Sequence, residues 1–152
     1  MNATSLTVSL KWPNDLYVGR RKLGGILAEK TGDSVVLGYG INIAASSFPP
    51  EISDRATSLE SELGRPVDRA AVFAETLAAL GCRYDDLLAG RFDAILDAWR
   101  AVAPAAHGAS VSWTAPEGER HGVTAGIDNH GALLVRCVDC MARIVSGELT
   151  WQ

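Results

Sequence analysis

The chain has 152 residues, 47% hydrophobic and 21% charged, with a net charge of −4 and a pI near 5.3, the balance of a globular protein of one medium domain or a main domain with a small satellite. That acidity argues against a broad nucleic-acid surface, and no apolar run is long enough to span a bilayer, so neither DNA nor membrane is expected as a partner. The start, Met1-Asn2-Ala3-Thr4-Ser5, lacks a signal peptide's basic-then-apolar pattern, and three cysteines (Cys82, Cys137, Cys140) fit reduced thiols in a cytoplasm better than a disulfide framework.

Leu6, Val8 and Leu10 alternate with Thr7 and Ser9, the period of a half-buried strand, which Trp12-Pro13 ends. Asn14-Asp15 has turn chemistry, and Leu16-Tyr17-Val18 resumes a short strand. Gly19-Arg20-Arg21 reads as a hairpin tip, followed by a return strand from Lys22 to Lys30, a turn at Thr31-Gly32-Asp33 and a β-rich run from Ser34 to Ala44. These make an antiparallel meander. A proline-containing loop, Ser47 to Ser53, leads to a short amphipathic helix from about Ala56 to Leu63, closed by Gly64 and Pro66. Asp68 can cap a longer helix whose stripe is Phe73, Leu77, Leu80, Tyr84, Leu87 and Leu88. After Gly90 a further helix carries Phe92, Ile95, Leu96, Trp99 and Val102; both stripes read as packing faces.

Pro104-Ala105-Ala106-His107-Gly108 is a small-residue linker, placing a boundary between domains 1–104 and 105–152. Beyond it come short strands: Val111 alternating with Trp113, a polar loop from Ala115 to Arg120, then Val123 to Ile127. A turn at Asp128-Asn129-His130-Gly131 precedes Ala132 to Arg136, Ala142 to Val145 and Gly147-Glu148-Leu149. Five short strands suggest a small barrel, too small to be stable without leaning on the first domain. Cys137-Val138-Asp139-Cys140 has the spacing of half a zinc site, but His107, His121 and His130 are scattered, so two strand residues flanking a tight turn is the plain reading.

Residues 11–30 gather five basic side chains (Lys11, Arg20, Arg21, Lys22, Lys30) against Asp15 and Glu29 in an acidic chain, which suggests a site for an anionic small molecule. Lys22 is followed by Gly24-Gly25, and paired glycines inside a strand are costly unless something approaches the backbone closely. Gly38 and Gly40 alternate on the next strand and leave one face bare, Asn42 offers an amide, and Lys11, Asn14 and Asp15 lie at the mouth of the preceding strand. No Gly-x-x-x-x-Gly-Lys-Ser/Thr or Gly-x-Gly-x-x-Gly motif is present.

Lys11-Trp12-Pro13-Asn14-Asp15-Leu16, Arg21-Lys22-Leu23-Gly24-Gly25-Ile26-Leu27-Ala28-Glu29 and Gly38-Tyr39-Gly40-Ile41-Asn42, in that order, resemble the biotin–protein ligases over essentially the whole chain. The resemblance implies an α+β fold: a mixed or antiparallel sheet with helices on one face, part of a class II synthetase-like ligase domain, then an SH3-like barrel. It implies a two-step ligation in which biotin's carboxylate attacks the α-phosphate of ATP, with Mg2+ present, to give biotinyl-5′-AMP and pyrophosphate. A lysine of a biotin carboxyl carrier protein, an acetyl-CoA carboxylase subunit, then takes the biotinyl group. By the same resemblance Lys22, Lys11 and Asp15 are the catalytic residues, with Lys22 between the carboxyl and the phosphate. Asn14, Gly24, Gly25, Ile26, Gly38, Gly40 and Asn42 join Lys22 in binding biotin and nucleotide, and magnesium is expected near Asn14 and Asp15 with no defined ligand set.

The family's Gly-Arg-Gly-Arg loop and its repressor members' DNA-binding helix-turn-helix do not occur in these 152 residues. Weak activity of the chain alone is therefore expected, with an open sheet edge at residues 5–10 that an upstream segment or a second copy completes. Two other readings stand beside this one: a lipoyl-protein ligase, and a non-catalytic module that binds the carrier.

Overall fold

A computed structural model describes residues 6–147 and 149–151. The fold is α+β, built on two antiparallel sheets, and the chain divides into two compact units. The first comprises residues 1–10 and 14–90, and the second residues 11–13 and 91–152.

In the first unit a four-stranded sheet runs in sequence order: β1 (Ser9–Lys11), β2 (Asp15–Val18), β3 (Arg21–Thr31) and β4 (Ser34–Ile41). This is the expected meander, with β1 shorter than the alternation from Leu6 suggested. β3 and β4 pair without interruption from Gly24↔Ile41 to Thr31↔Ser34. Short helix α1 (Leu59–Leu63) follows, capped by the Ser58 hydroxyl on the Ser61 amide and closed by Gly64 in the left-handed region. It starts later than expected because residues 55–57 are drawn alongside β3. Lys22 N–H donates to the Arg55 carbonyl at 2.7 Å, and Thr57 N–H donates to the Lys22 carbonyl at 2.9 Å. Leu23, Leu59, Thr57 and Ser58 are buried here.

Helix α2 (Arg69–Leu88) begins where Asp68 caps the amides of Ala70 and Ala71, as its sequence predicts. Its apolar stripe does not pack within the described residues: Phe73, Leu77, Leu80, Tyr84, Leu87 and Leu88 are all exposed, which corrects the reading of that stripe as a packing face. Only the start of α2 lies near the sheet, where Ala71, Val72 and Thr76 join Leu16, Leu23 and Ile41 around an apolar cavity of about 420 Å³.

The second unit begins earlier than the linker at 104. Helix α3 (Phe92–Ala101) belongs to it, and Arg100 donates to the Ile127 carbonyl. Its five-stranded sheet has the order β8-β7-β6-β5-β9, formed by β5 (His107–Ala115), β6 (Gly118–Ile127), β7 (Leu133–Arg136), β8 (Met141–Ile144) and β9 (Thr150–Trp151). The supposed polar loop at 115–120 is a tight hairpin, because Ala115 pairs with Gly118. The strand expected at 147–149 falls partly on Glu148, outside the described residues. Val111, Leu133 and Val135 are almost wholly buried and form the centre of this core. No helix among the described residues is long and apolar enough to cross a membrane.

Candidate functional site

The face of the β2–β3–β4 sheet that carries the glycines is set by register. Gly25 pairs with Gly40, and Leu27 with Gly38, so Gly25, Gly38 and Gly40 fall on one face with Leu27 as the one side chain among them. Asp15 pairs with Gly25 and stands on the same face. Lys22, three residues from Gly25, belongs to the opposite face of a regular strand. The chain corrects this with a bulge: Leu16 pairs with Gly24 and Tyr17 with Lys22, leaving Leu23 as the extra residue. The phase shift turns Leu23 into the core and brings the Lys22 ammonium to 2.6 Å from Asp15 Oδ1. Its backbone, tied to Arg55 and Thr57, cannot slip back.

The result is a shallow depression of about 250 Å³, lined by Asn14, Asp15, Lys22, Gly25, Ile26, Leu27, Gly38, Tyr39 and Gly40. The Asn14 corner is fixed twice over: its carbonyl accepts from Ile26 N–H at 2.8 Å, and its side-chain amide donates to the Ile26 carbonyl at 2.5 Å. A Cβ on Gly25 would stand 3.3 Å from Asp15 Oδ1 and 3.8 Å from Lys22 Cε, so the hydrogen at Gly25 is what keeps the depression open beside the ion pair. Tyr17, across from Lys22, has its phenol pKa raised by burial and by the Asp15 charge, with Lys22 opposing.

Seven of the expected residues thus converge: Asn14, Asp15, Lys22, Gly25, Ile26, Gly38 and Gly40. Three do not line the depression. Gly24 is a packing glycine, since a Cβ there would lie 2.1 Å from the Gly40 carbonyl oxygen. The Asn42 side chain donates to the Thr57 carbonyl at 3.0 Å, which fixes the segment tied to Lys22. Lys11 groups with the second unit, its ammonium 5.1 Å from the centroid of a Trp151 ring, as does Trp12, whose indole donates to the Gly131 carbonyl. The neighbouring Arg21 pairs with Glu62 at 2.7 Å. Of the basic window, only Lys22 lines the depression.

Among the described residues no three His, Cys, Asp or Glu side chains cluster as a metal site. A single carboxylate, already paired with a lysine, does not make a resident magnesium site.

Residues 2–45 match the Biotin/lipoate A/B protein ligase family. The chain is 32% identical over 154 residues to the bifunctional ligase/repressor BirA of Bacillus spizizenii, covering 97% of this chain and 47% of that protein. It is 33% identical over 138 residues to the biotin–[acetyl-CoA-carboxylase] ligase of Paracoccus denitrificans, covering 85% of this chain and 57% of that one. The structure of the Aquifex aeolicus biotin protein ligase in complex with biotin and ATP superposes with a TM-score of 0.82 at 30% identity, over 95% of this chain and 62% of that chain. The chain is related to the biotin–protein ligases. It spans about half the length of the curated relatives it matches.

In this biotin-ligase relative, Leu27 and Tyr39 line the depression alongside the expected residues and were not singled out from sequence. Leu27 had a signal: it lies two residues beyond Gly25 on an alternating strand. The bulge at Leu23 had none, because nothing in Lys-Leu-Gly-Gly says which residue the ladder will skip.

Proposed function

We propose that the depression is the biotin and adenylate site of a biotin–protein ligase, which activates biotin with ATP to biotinyl-5′-AMP and transfers it to a lysine of a biotin carboxyl carrier protein. The observation that carries this reading is the Lys22 ammonium standing on the same face as the bare patch of Gly25, Gly38 and Gly40. A flat, largely apolar ring system can lie on backbone with no side chains in its way, and its carboxylate then meets the one cation at the rim. As the carboxylate attacks the α-phosphate, negative charge grows where Lys22 is held, and a preorganised cation there lowers the barrier. Asp15 holds that ammonium in place. Asn14 fixes the Ile26 backbone, its carbonyl accepting from the Ile26 N–H and its side-chain amide donating to the Ile26 carbonyl, and Asn42 anchors the strand segment against which Lys22 is tied.

The exposed stripe of α2 and the apolar cavity at its start support a second part of the proposal. Another polypeptide segment, upstream in the same protein or from a second copy, covers them and completes the active enzyme. Each large apolar side chain of the stripe, 39–69% exposed, stands to gain roughly 1–2 kcal/mol on full burial. The family description also names lipoate, and lipoyl transfer is the alternative substrate reading.

Titration calorimetry with biotin and with lipoate tests the site directly. Biotin heat from the chain, lost in Lys22→Ala and absent with lipoate, is the expected result. A biotin isotherm unchanged by Lys22→Ala, or lipoate binding in place of biotin, refutes the assignment.

A further inference from the structure

The β7–β8 turn carries two cysteines that the ligase reading does not use. Cys137 follows β7 and Cys140 precedes β8, with Arg136 and Met141 paired just inside them. Cys137 N–H donates to the Cys140 carbonyl at 2.8 Å, so the two residues face each other across the hairpin. Hydrogen-bonded partners in an antiparallel pair have Cα atoms ~5.5 Å apart and side chains on one face. A disulfide spans Cα separations of roughly 4.4–6.8 Å. Burial, then the neighbouring Cys140 thiol, push the Cys137 thiol up from its ordinary pKa.

The two sulfurs differ in their surroundings. Cys140 is exposed, and the Arg120 guanidinium, from β6, lies 3.9 Å from its sulfur. Cys137 is partly covered, its Sγ 3.8 Å from the Val135 carbonyl. No third metal-ligating side chain joins them among the described residues, which leaves two-sulfur chemistry.

We propose that Cys137 and Cys140 form a reversible redox dithiol, closed to an intramolecular disulfide by exchange with a low-molecular-weight disulfide such as that of glutathione. The exposed Cys140, as thiolate, attacks one sulfur of the oxidant and one glutathione thiolate leaves. Cys137, losing its proton, then attacks the Cys140 sulfur of the mixed disulfide and expels the second glutathione. Two electrons pass from the protein thiols to the oxidant, and both thiol protons end on the two glutathione molecules. Arg120 stabilises negative charge on the Cys140 sulfur during the first step, and again when that sulfur leaves on reduction. Closure cross-links β8, an outer strand of its sheet, to β7.

The test uses the full chain carrying Cys82→Ala, equilibrated in glutathione redox buffers, trapped with an alkylating agent and mapped by peptide mass. The expected product is a monomer with a Cys137–Cys140 disulfide that reopens with excess dithiothreitol, and with slower hydrogen exchange in β8 when oxidised. Cys137→Ser should stall with glutathione on Cys140, and Arg120→Gln should slow that first attack by roughly three- to tenfold. Stable glutathione adducts on both cysteines of the Cys82→Ala protein, or disulfides only between chains, overturn the proposal. An unchanged rate in Arg120→Gln overturns the role given to the arginine.

Discussion

The Gly24-Gly25 pair looks uniform in sequence, yet the structure gives its members different work, and substitution by alanine separates them from Gly40. A Cβ on Gly24 would sit 2.1 Å from the Gly40 oxygen, where real Cβ contacts essentially never fall below 3.0 Å, so β4 must retreat by about an ångström. That retreat stretches the ladder at Gly24↔Ile41 and Gly25↔Gly40, and the Asn42 N–H bond to the Leu23 carbonyl. Two or three backbone bonds at about 0.5–1.5 kcal/mol each, with the packing they hold, put Gly24→Ala at roughly 2–4 kcal/mol. A Cβ on Gly40 meets nothing within 4 Å, so Gly40→Ala changes stability by only about 0.5 kcal/mol, while setting a methyl group into the ligand face. All four tryptophans lie in the second unit, so fluorescence is a poor probe here and amide hydrogen exchange in β3 and β4 is the suitable assay. Gly24→Ala should speed exchange by roughly 30- to 1,000-fold at those amides. Gly40→Ala should leave exchange near wild type and abolish biotin binding. Wild-type protection in Gly24→Ala, or equal damage in both variants, would falsify this division of labour.

Two further predictions concern local anchors. In the second unit Asp128 accepts from the amides of His130 and Ala132 and pairs with Arg143 at 2.6 Å; desolvation alone would raise its pKa, but the Arg143 hydrogen bond, the two amides and the Arg143 charge outweigh it and lower it to about 2. A depressed carboxyl pKa stabilises the fold fully above the ordinary carboxylate range and loses that contribution as pH falls from about 4 through about 2. Tryptophan fluorescence should therefore report an acid transition in that window that Asp128→Asn removes; identical acid titrations would refute the role. At the start of α2, Asp68→Ala removes the cap on Ala70 and Ala71 and should cost about 1 kcal/mol in urea denaturation followed by circular dichroism, whereas Asp68→Ser should recover most of it.

Much of the first unit was legible because its signals are local. The turn at Gly32, the cap at Asp68, the stop at Gly90 and the meander itself each follow from a few adjacent residues with one conformational solution. The same holds for Asp128-Asn129-His130-Gly131, where the aspartate side chain ties down the turn. What escaped depended on distant partners. Residues 56–58 carry a helical pattern, yet the freed backbone of Lys22 captures them as an added strand-like bridge. The stripe on α2 has helical spacing, but periodicity only says that a face wants cover, not that this chain supplies it. At 115–120 polarity suggested a loop, while the backbone turns in two residues and keeps pairing. For the site, alternation placed the bare face correctly, and only the bulge decided that Lys22 shares it.

Charge was the least transferable inference. Five cations crowd one stretch of sequence, but Arg21 is taken by Glu62, Lys11 lies against Trp151 in the other unit, and Lys22 is matched by Asp15. The depression is therefore close to neutral before any ligand arrives. A biotin carboxylate can be met by Lys22 alone if it shares the ammonium with Asp15, since three donors are available. A nucleotide triphosphate cannot, because its charge exceeds what one shared lysine offsets. In the proposed reaction the balance would come from a cation carried on the phosphates and from basic groups outside the depression. Biotin should therefore bind this chain more readily than ATP does, and the order of the two affinities tests whether the site is half of an electrostatic whole.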